Sequence, residues 1–220
     1  MARCTTCHRR LRSGQPCPLH GGASAEVQHS AAAAFEWKEP VGALIGSGGF
    51  ASVWALDGNR VIKIAHASHD LARARMAREA EALRAIGAPA VPHCHDSGVL
   101  ADGRAWVVMD RVAGANLADL ACDAPLRSAE VVALGLACLD ALERVHAVQF
   151  VHRDIKPDNM VRTKEGRVVI LDLGLARKLP DDPDDPTRAN VQVGSLEYIA
   201  PEQIADSANV DERSDIYALG

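Results

Sequence analysis

Aromatic side chains are scarce in this 220-residue chain: three Phe, three Trp and two Tyr amount to 4%, whereas 48% of residues are hydrophobic. The core must therefore be mostly aliphatic, and the high alanine share favours Ala-rich helices. A basic excess is missing as well. With 24 Lys and Arg against 29 Asp and Glu, the formal charge is −5, which excludes a general attraction to nucleic acid or an anionic membrane. No apolar run reaches the length of a membrane span, and the segment from Met1 to Leu11 is polar and basic without the apolar stretch of a secretory signal. A soluble, unexported, cytoplasmic chain of one or two domains is the expectation.

Cysteine is unevenly spread: three of six, at 4, 7 and 17, fall in the first 17 positions, and the others stand alone at 94, 122 and 138. The lone three read as reduced core thiols. The first three form C-T-T-C at 4–7 and C-P-L-H at 17–20, two pairs nine residues apart. This spacing suits a closed tetrahedral Zn²⁺ site of Cys4, Cys7, Cys17 and His20. So short a segment has no core of its own, and a metal would supply its fold. The competing reading is an unstructured tail with incidental cysteines.

After this motif (1–20), residues 21–38 have the small, polar, unpatterned look of a linker. The boundary falls near Glu39, and from Val41 short β-type runs begin: VGALIG, SVWAL, a turn at Asp57-Gly58-Asn59, and RVIKIA, together a three-stranded meander. Residues 69–86 follow the helical period with Met76, Ala80 and Leu83 on one stripe and Gly87 as a stop. Two more strands follow, around Val99 and at AWVVM. A long helix then starts with Ser128 as N-cap, and after it come FVHRD, the strand pair MVR and RVVILD, and a Pro/Asp-rich loop. The order is a β-rich lobe with one helix, residues 39–112, then an α-rich lobe, residues 113–220.

Ile45, Gly46, Ser47, Gly48, Gly49, Phe50 and, after Ala51 and Ser52, Val53 form a glycine-rich turn between two strands. Missing side chains there let backbone N–H groups approach phosphate oxygens. A dinucleotide fingerprint would lead into a helix, but this turn leads into a strand, which favours a nucleotide lid. Lys63 lies in the next strand. Glu79 and Glu81 both stand on the following helix, and only Glu79 shares the inward stripe, Glu81 being rotated by about 200°. Glu79 is the expected partner of Lys63. Residues 151–160 read V-H-R-D-I-K-P-D-N-M, and thirteen residues past Asn159 the aliphatic run VVIL delivers D-L-G at 172–174.

These strings, with G-S-L-E-Y-I-A-P-E at 194–202 and D-E-R-S-D-I-Y-A-L-G at 211–220, resemble the protein kinase superfamily, specifically the eukaryotic-like Ser/Thr kinases of bacteria, over residues 41–220. The resemblance implies an α+β, two-lobed kinase fold with ATP between the lobes. It implies that Asp154 is the catalytic base, that Lys156 neutralises charge on the phosphoryl group in flight, that Lys63 paired with Glu79 holds the α- and β-phosphates, and that Asn159 and Asp172 hold Mg²⁺. Adenine would lie between Val53 and Val61 above and Val161 below, with Met109 as gatekeeper and Asp110 to Val112 as hinge. Lys156 followed by Pro157 is similar to the Ser/Thr version of this loop, so the implied partners are proteins carrying Ser or Thr.

The chain departs from the family pattern at Ala51, Val61 and Leu173, each an apolar change that leaves the polar set intact. A non-catalytic nucleotide-binding scaffold is the alternative, and its signature would be loss of Lys63, Asp154 or Asp172. A second alternative makes the Cys/His motif the working part, as a binding module. Arg153 before the base implies control by phosphorylation of the segment 172–202, where Thr187 is the expected regulatory site; otherwise the Asp/Pro run is only a solvated loop. The end of the chain resembles only the start of a kinase's central large-lobe helix. The expectation is a fragment in which the helix over 129–147 is partly uncovered and Glu202 lacks an arginine partner.

Overall fold

The computed structural model describes residues 2–4, 10–11, 21, 24–26, 37–123, 125–179, 197–205 and 210–220. Near the N-terminus, β1 (Ala2–Cys4) pairs antiparallel with both β2 (Arg10–Leu11) and β3 (Ser24–Glu26). Residues 24–26 thus belong to the N-terminal sheet, although the sequence there reads as linker. Their backbone pairs across a sheet without the hydrophobic alternation that would announce a strand. Cys7, Cys17, His20 and the side chain of Cys4 lie outside the described residues, as does Thr187.

The small lobe is a five-stranded antiparallel sheet of β4 (Leu44–Ser47), β5 (Ala51–Ala55), β6 (Arg60–Ala65), β7 (Cys94–Val99) and β8 (Ala105–Asp110), in the order β4-β5-β6-β8-β7. Its central strand β6 is apolar on both faces because both are covered. Ile62 and Ile64 join Leu56, Val108 and the half-buried Trp37, Trp54 and Trp106 on the outer face. Val61, Lys63 and Ala65 alternate with them and face inward. On this inner side lies α1 (Asp70–Ile86), buried through Ala72, Met76, Glu79, Ala80 and Leu83. The helix starts where the His69 ring accepts the Ala72 N–H at 3.2 Å. It stops at Gly87, whose φ of 70° and N–H bond to Leu83 O close the last turn.

The large lobe begins with β9 (Ala115–Asn116), α2 (Leu117–Asp123) and α3 (Ser128–Ala147). Helix α3 is capped by Arg127, one residue before the expected Ser128. Arg127 is extended (φ −69°, ψ 150°), and the Glu130 carboxylate reaches back to its N–H at 3.0 Å, so Ser128 is already helical. Cys138, Ala141, Leu142 and Val145 face the core, whereas Val131, Val132, Leu136 and Leu139 are exposed. Then follow β10 (Phe150–Val151), β11 (Met160–Arg162), β12 (Val168–Ile170), β13 (Arg177–Lys178), α4 (Pro201–Ala205) and α5 (Arg213–Leu219). Strands pair as β12-β11-β9 and β10-β13, and these short ladders hold the loops that carry the chemistry. Cys94 and Cys138 are buried free thiols.

Glu202 is bonded to a hydroxyl rather than to an arginine. It is only half-buried, and its Oε1 accepts the Ser214 hydroxyl at 2.6 Å, because the first turn of α5 lies beside α4. No unpaired buried carboxylate arises there.

Candidate active site

A cleft of about 750 Å³ opens between the lobes. Its upper wall is the glycine-rich turn, Val53, Val61 and Lys63; its back is α1 with Met76 and Glu79; its lower wall is Asp154, Lys156, Asn159, Leu171 and Asp172; and Met109 to Val112 line its edge. The expected residues Ile45, Gly46, Ser47, Gly48, Gly49 and Phe50 all line it. Gly48 N–H bonds to Ala51 O at 2.9 Å and His66 N–H to Phe50 O at 2.8 Å, which fixes the turn.

Val161 is buried in β11, opposite Val169 and Asn116 in register, with its Cγ1 beside Gly114, two residues past Val112 of the hinge. Leu171 and Pro92 line the cleft in addition to the expected apolar set. At the hinge the Arg111 N–H is already given to Asn59 O at 2.6 Å, so it is not a donor for a base.

Strand β6 places Lys63 inward, directly opposite Val53 and Val107 in register. Its Nζ lies 2.7 and 2.8 Å from the two oxygens of Glu79, and 2.7 Å from Asp172 Oδ1. The glutamate that meets Lys63 is the one on the inward stripe of α1. The direct bond to Asp172 was not foreseen, because it spans 109 residues and two lobes. Burial disfavours the Lys63 ammonium, but the Asp172 and Glu79 carboxylates outweigh it and hold its pKa above the ordinary range. For Glu79, burial pushes the carboxyl pKa up against the pull of Lys63. Asp172 opens to the cleft, with its side chain 53% exposed, and Lys63 beside it lowers its pKa to about 2.

The catalytic loop is a second built cluster. Asp154 Oδ2 accepts Lys156 Nζ at 2.7 Å and Asn159 Nδ2 at 3.0 Å, and Asn159 also donates to the Asp154 carbonyl at 2.9 Å. His152 is fully buried; its Nδ1 accepts the Asp154 N–H at 3.2 Å, so its Nε2 carries the proton and donates to Leu171 O at 3.0 Å.

Two residues that position this loop were missed. Arg153 has φ 66°, a left-handed conformation that costs a non-glycine residue energy. Asp215, fully buried in α5, stabilises it by accepting the N–H groups of His152 and Arg153, both at 2.8 Å, and His146 Nε2 at 2.9 Å. Gln203 donates to the Arg153 carbonyl at 3.0 Å and accepts the Ala200 N–H at 3.1 Å, tying the start of α4 to the loop. Arg153 itself is buried, with Nε donating to Leu175 O at 2.9 Å.

The donor set fits a hard cation: an ionised carboxylate facing the cleft at Asp172 beside the amide of Asn159. Among the described residues no group of three or more His, Cys, Asp or Glu is placed to hold a metal.

A family model described as the protein kinase domain matches residues 40–220. The chain belongs to the protein kinase family. It is 34% identical over 197 residues to a probable serine/threonine-protein kinase PknB of Bifidobacterium longum, a match covering 82% of this chain and 28% of the relative. Serine/threonine-protein kinase pkn3 of Myxococcus xanthus is 36% identical over 200 residues, covering 84% of this chain and 36% of the relative. A probable serine/threonine-protein kinase of Streptomyces coelicolor is 33% identical over 195 residues, covering 82% and 28%. The chain thus spans about a third of the length of these curated relatives. Among the described residues no helix is long and apolar enough to cross a membrane.

Proposed function

We propose that this chain transfers the γ-phosphoryl group of ATP, with Mg²⁺, to Ser and Thr hydroxyls of protein substrates. The observation that carries the reading is one cleft holding two facing sets, Lys63–Glu79–Asp172 and Asp154–Lys156–Asn159. Glu79 keeps Lys63 in place, and Lys63 offers its charge to the nucleotide phosphates. Asp154, oriented by Asn159, accepts the substrate hydroxyl's proton and aims the oxygen at phosphorus, while Lys156 offsets charge on the group being transferred. Such catalysis is positioning and electrostatic stabilisation rather than covalent chemistry. Asp172 and Asn159 would hold Mg²⁺, which when bound neutralises phosphate charge.

The scaffold alternative predicts nucleotide binding without transfer. Incubation of the purified protein with labelled ATP, Mg²⁺ and a general protein substrate, followed by phosphoamino-acid analysis, separates the two: label on Ser and Thr that disappears in Asp154→Asn supports the kinase, and bound ATP without transfer supports the scaffold.

Two further elements belong to the same proposal. Thr187 is the site at which a loop phosphate would act, and phosphate mapping of active protein tests it. The N-terminal motif holds one Zn²⁺ through Cys4, Cys7, Cys17 and His20, a reading that stands on their spacing. Metal analysis decides it: one equivalent of zinc lost on replacing Cys4 and Cys7 by Ser supports the site, and zinc content indifferent to those replacements removes it.

A further inference from the structure

Arg75 lies on α1 one turn before Glu79, on the same face of the helix. Its guanidinium carbon sits 3.9 Å from the ring centroid of Phe50, the residue at the tip of the glycine-rich lid. This is well inside the range at which a cation and an aromatic face attract. The contact is not incidental to a solvated side chain. Arg75 Nη1 is buried and has no hydrogen-bond partner among the described residues. A buried N–H without an acceptor is costly, and the Phe50 ring is what offsets that cost here. Burial also disfavours the Arg75 charge, with Asp172 partly restoring it. Phe50 in turn is 59% exposed, and besides the bond from the His66 N–H to its carbonyl it is held to the lobe through this stack.

The same stretch of helix touches the other parts of the site. Glu79 holds Lys63, and the Arg75 carbonyl is 3.9 Å from where a Cβ on Gly174 would stand, beside the D-L-G turn. We propose that Arg75 is a positioning residue that couples closure of the glycine-rich lid to the Lys63–Glu79 pair, through its stack on Phe50. Seating α1 favours the closed lid, and a lid closed over ATP favours the seated helix, because a coupling between two sites acts equally in both directions. This rests on the ATP-dependent reading above.

The test compares the full protein with Arg75→Met, Phe50→Leu and Glu79→Gln, and with the double variants Arg75→Met/Phe50→Leu and Glu79→Gln/Phe50→Leu. KM and the dissociation constant for ATP are both measured, with melting temperature as a check on folding. Arg75→Met and Phe50→Leu should each weaken ATP roughly tenfold with a smaller effect on kcat. Each double variant should be no weaker than the worse of its two single variants. Phe50→Trp, which keeps an aromatic face, should lose less than Phe50→Leu. Unchanged ATP affinity in Phe50→Leu, or fully additive losses in either double variant, would overturn the coupling. A wild-type protein that transfers no phosphate would instead overturn the reading of function, and the dissociation constants would still decide the stack.

Discussion

At the scale of single residues, the site turns on one ammonium shared by two carboxylates. Lys63 and Glu79 are both nearly buried, so removing Lys63 leaves the Glu79 carboxylate without its counter-charge. Lys63→Met should cost roughly 3 kcal/mol of stability as well as activity. The double variant Lys63→Met/Glu79→Leu should recover most of the stability and none of the activity, as read from urea midpoints; if it is no more stable than Lys63→Met, the pair is not what holds α1. Asp172 differs because it opens to the cleft. Its pKa of about 2 is depressed from the ordinary 3.8, so its contribution to stability is whole above about pH 4 and is lost as pH falls toward 2. The stability difference between wild type and Asp172→Asn should be flat above that range and narrow below it. Lys63, held above its ordinary 10.5, contributes fully below that value and loses its effect only at higher pH. Glu79 runs in the same direction as Lys63 and opposite to Asp172: its raised pKa makes the folded state give up stability as pH climbs past 4.5. Asp154→Asn should keep ATP binding and lower turnover by about 10²–10⁴, the range for a lost general base. A variant turning over at the wild-type rate would show that another group takes the proton.

At the scale of elements, what the sequence made legible were the parts whose meaning is local. The period of α1 separates Glu79 from Glu81, Gly87 marks the stop, and the run around Lys63 announces a strand. Asp215 and Gln203 were not legible, because their importance comes from bonds across 62 and 50 residues of chain that no local pattern encodes. The neighbours of Val161 were not legible for a related reason: the pairing of β11 with β9 sets it against Gly114. That contact carries a prediction. A Cβ on Gly114 would run into the Arg162 carbonyl oxygen and come within 2.7 Å of Val161 Cγ1. Gly114→Ala should therefore destabilise the protein by about 1–3 kcal/mol, the usual cost of overpacking. By contrast Gly49→Ala, in open space at the lid, should leave the urea midpoint within experimental scatter. Equal midpoints for the two variants would mean that the β9–β11 ladder yields more easily than its close packing suggests.

At the scale of the whole molecule, the cleft is where the two lobes depend on one another. Val61, Lys63 and Met109 belong to the sheet, and Asp154, Asn159 and Leu171 to the large lobe, so a nucleotide that touches both is bound only while their arrangement holds. The Lys63–Asp172 bond spans the same gap without a ligand, and one buried core cluster runs from Val61 and Met109 through to Ile170 and Leu173. Binding should then stabilise the molecule as one unit, not as one lobe. At an ATP concentration about 100 times its dissociation constant, with Mg²⁺ present, the gain expected from mass action is about 2.7 kcal/mol. Urea unfolding followed by the tryptophans, all three of which sit on the small-lobe sheet, and separately by far-ultraviolet circular dichroism should shift together by that amount. Asp154→Asn should show the full shift, since it removes the base and leaves the phosphate cradle, whereas Lys63→Met at the same ATP concentration should show little of it. A shift seen by the tryptophans alone would mean that the small lobe binds nucleotide independently and that the Lys63–Asp172 bridge does not join the lobes into one cooperative unit.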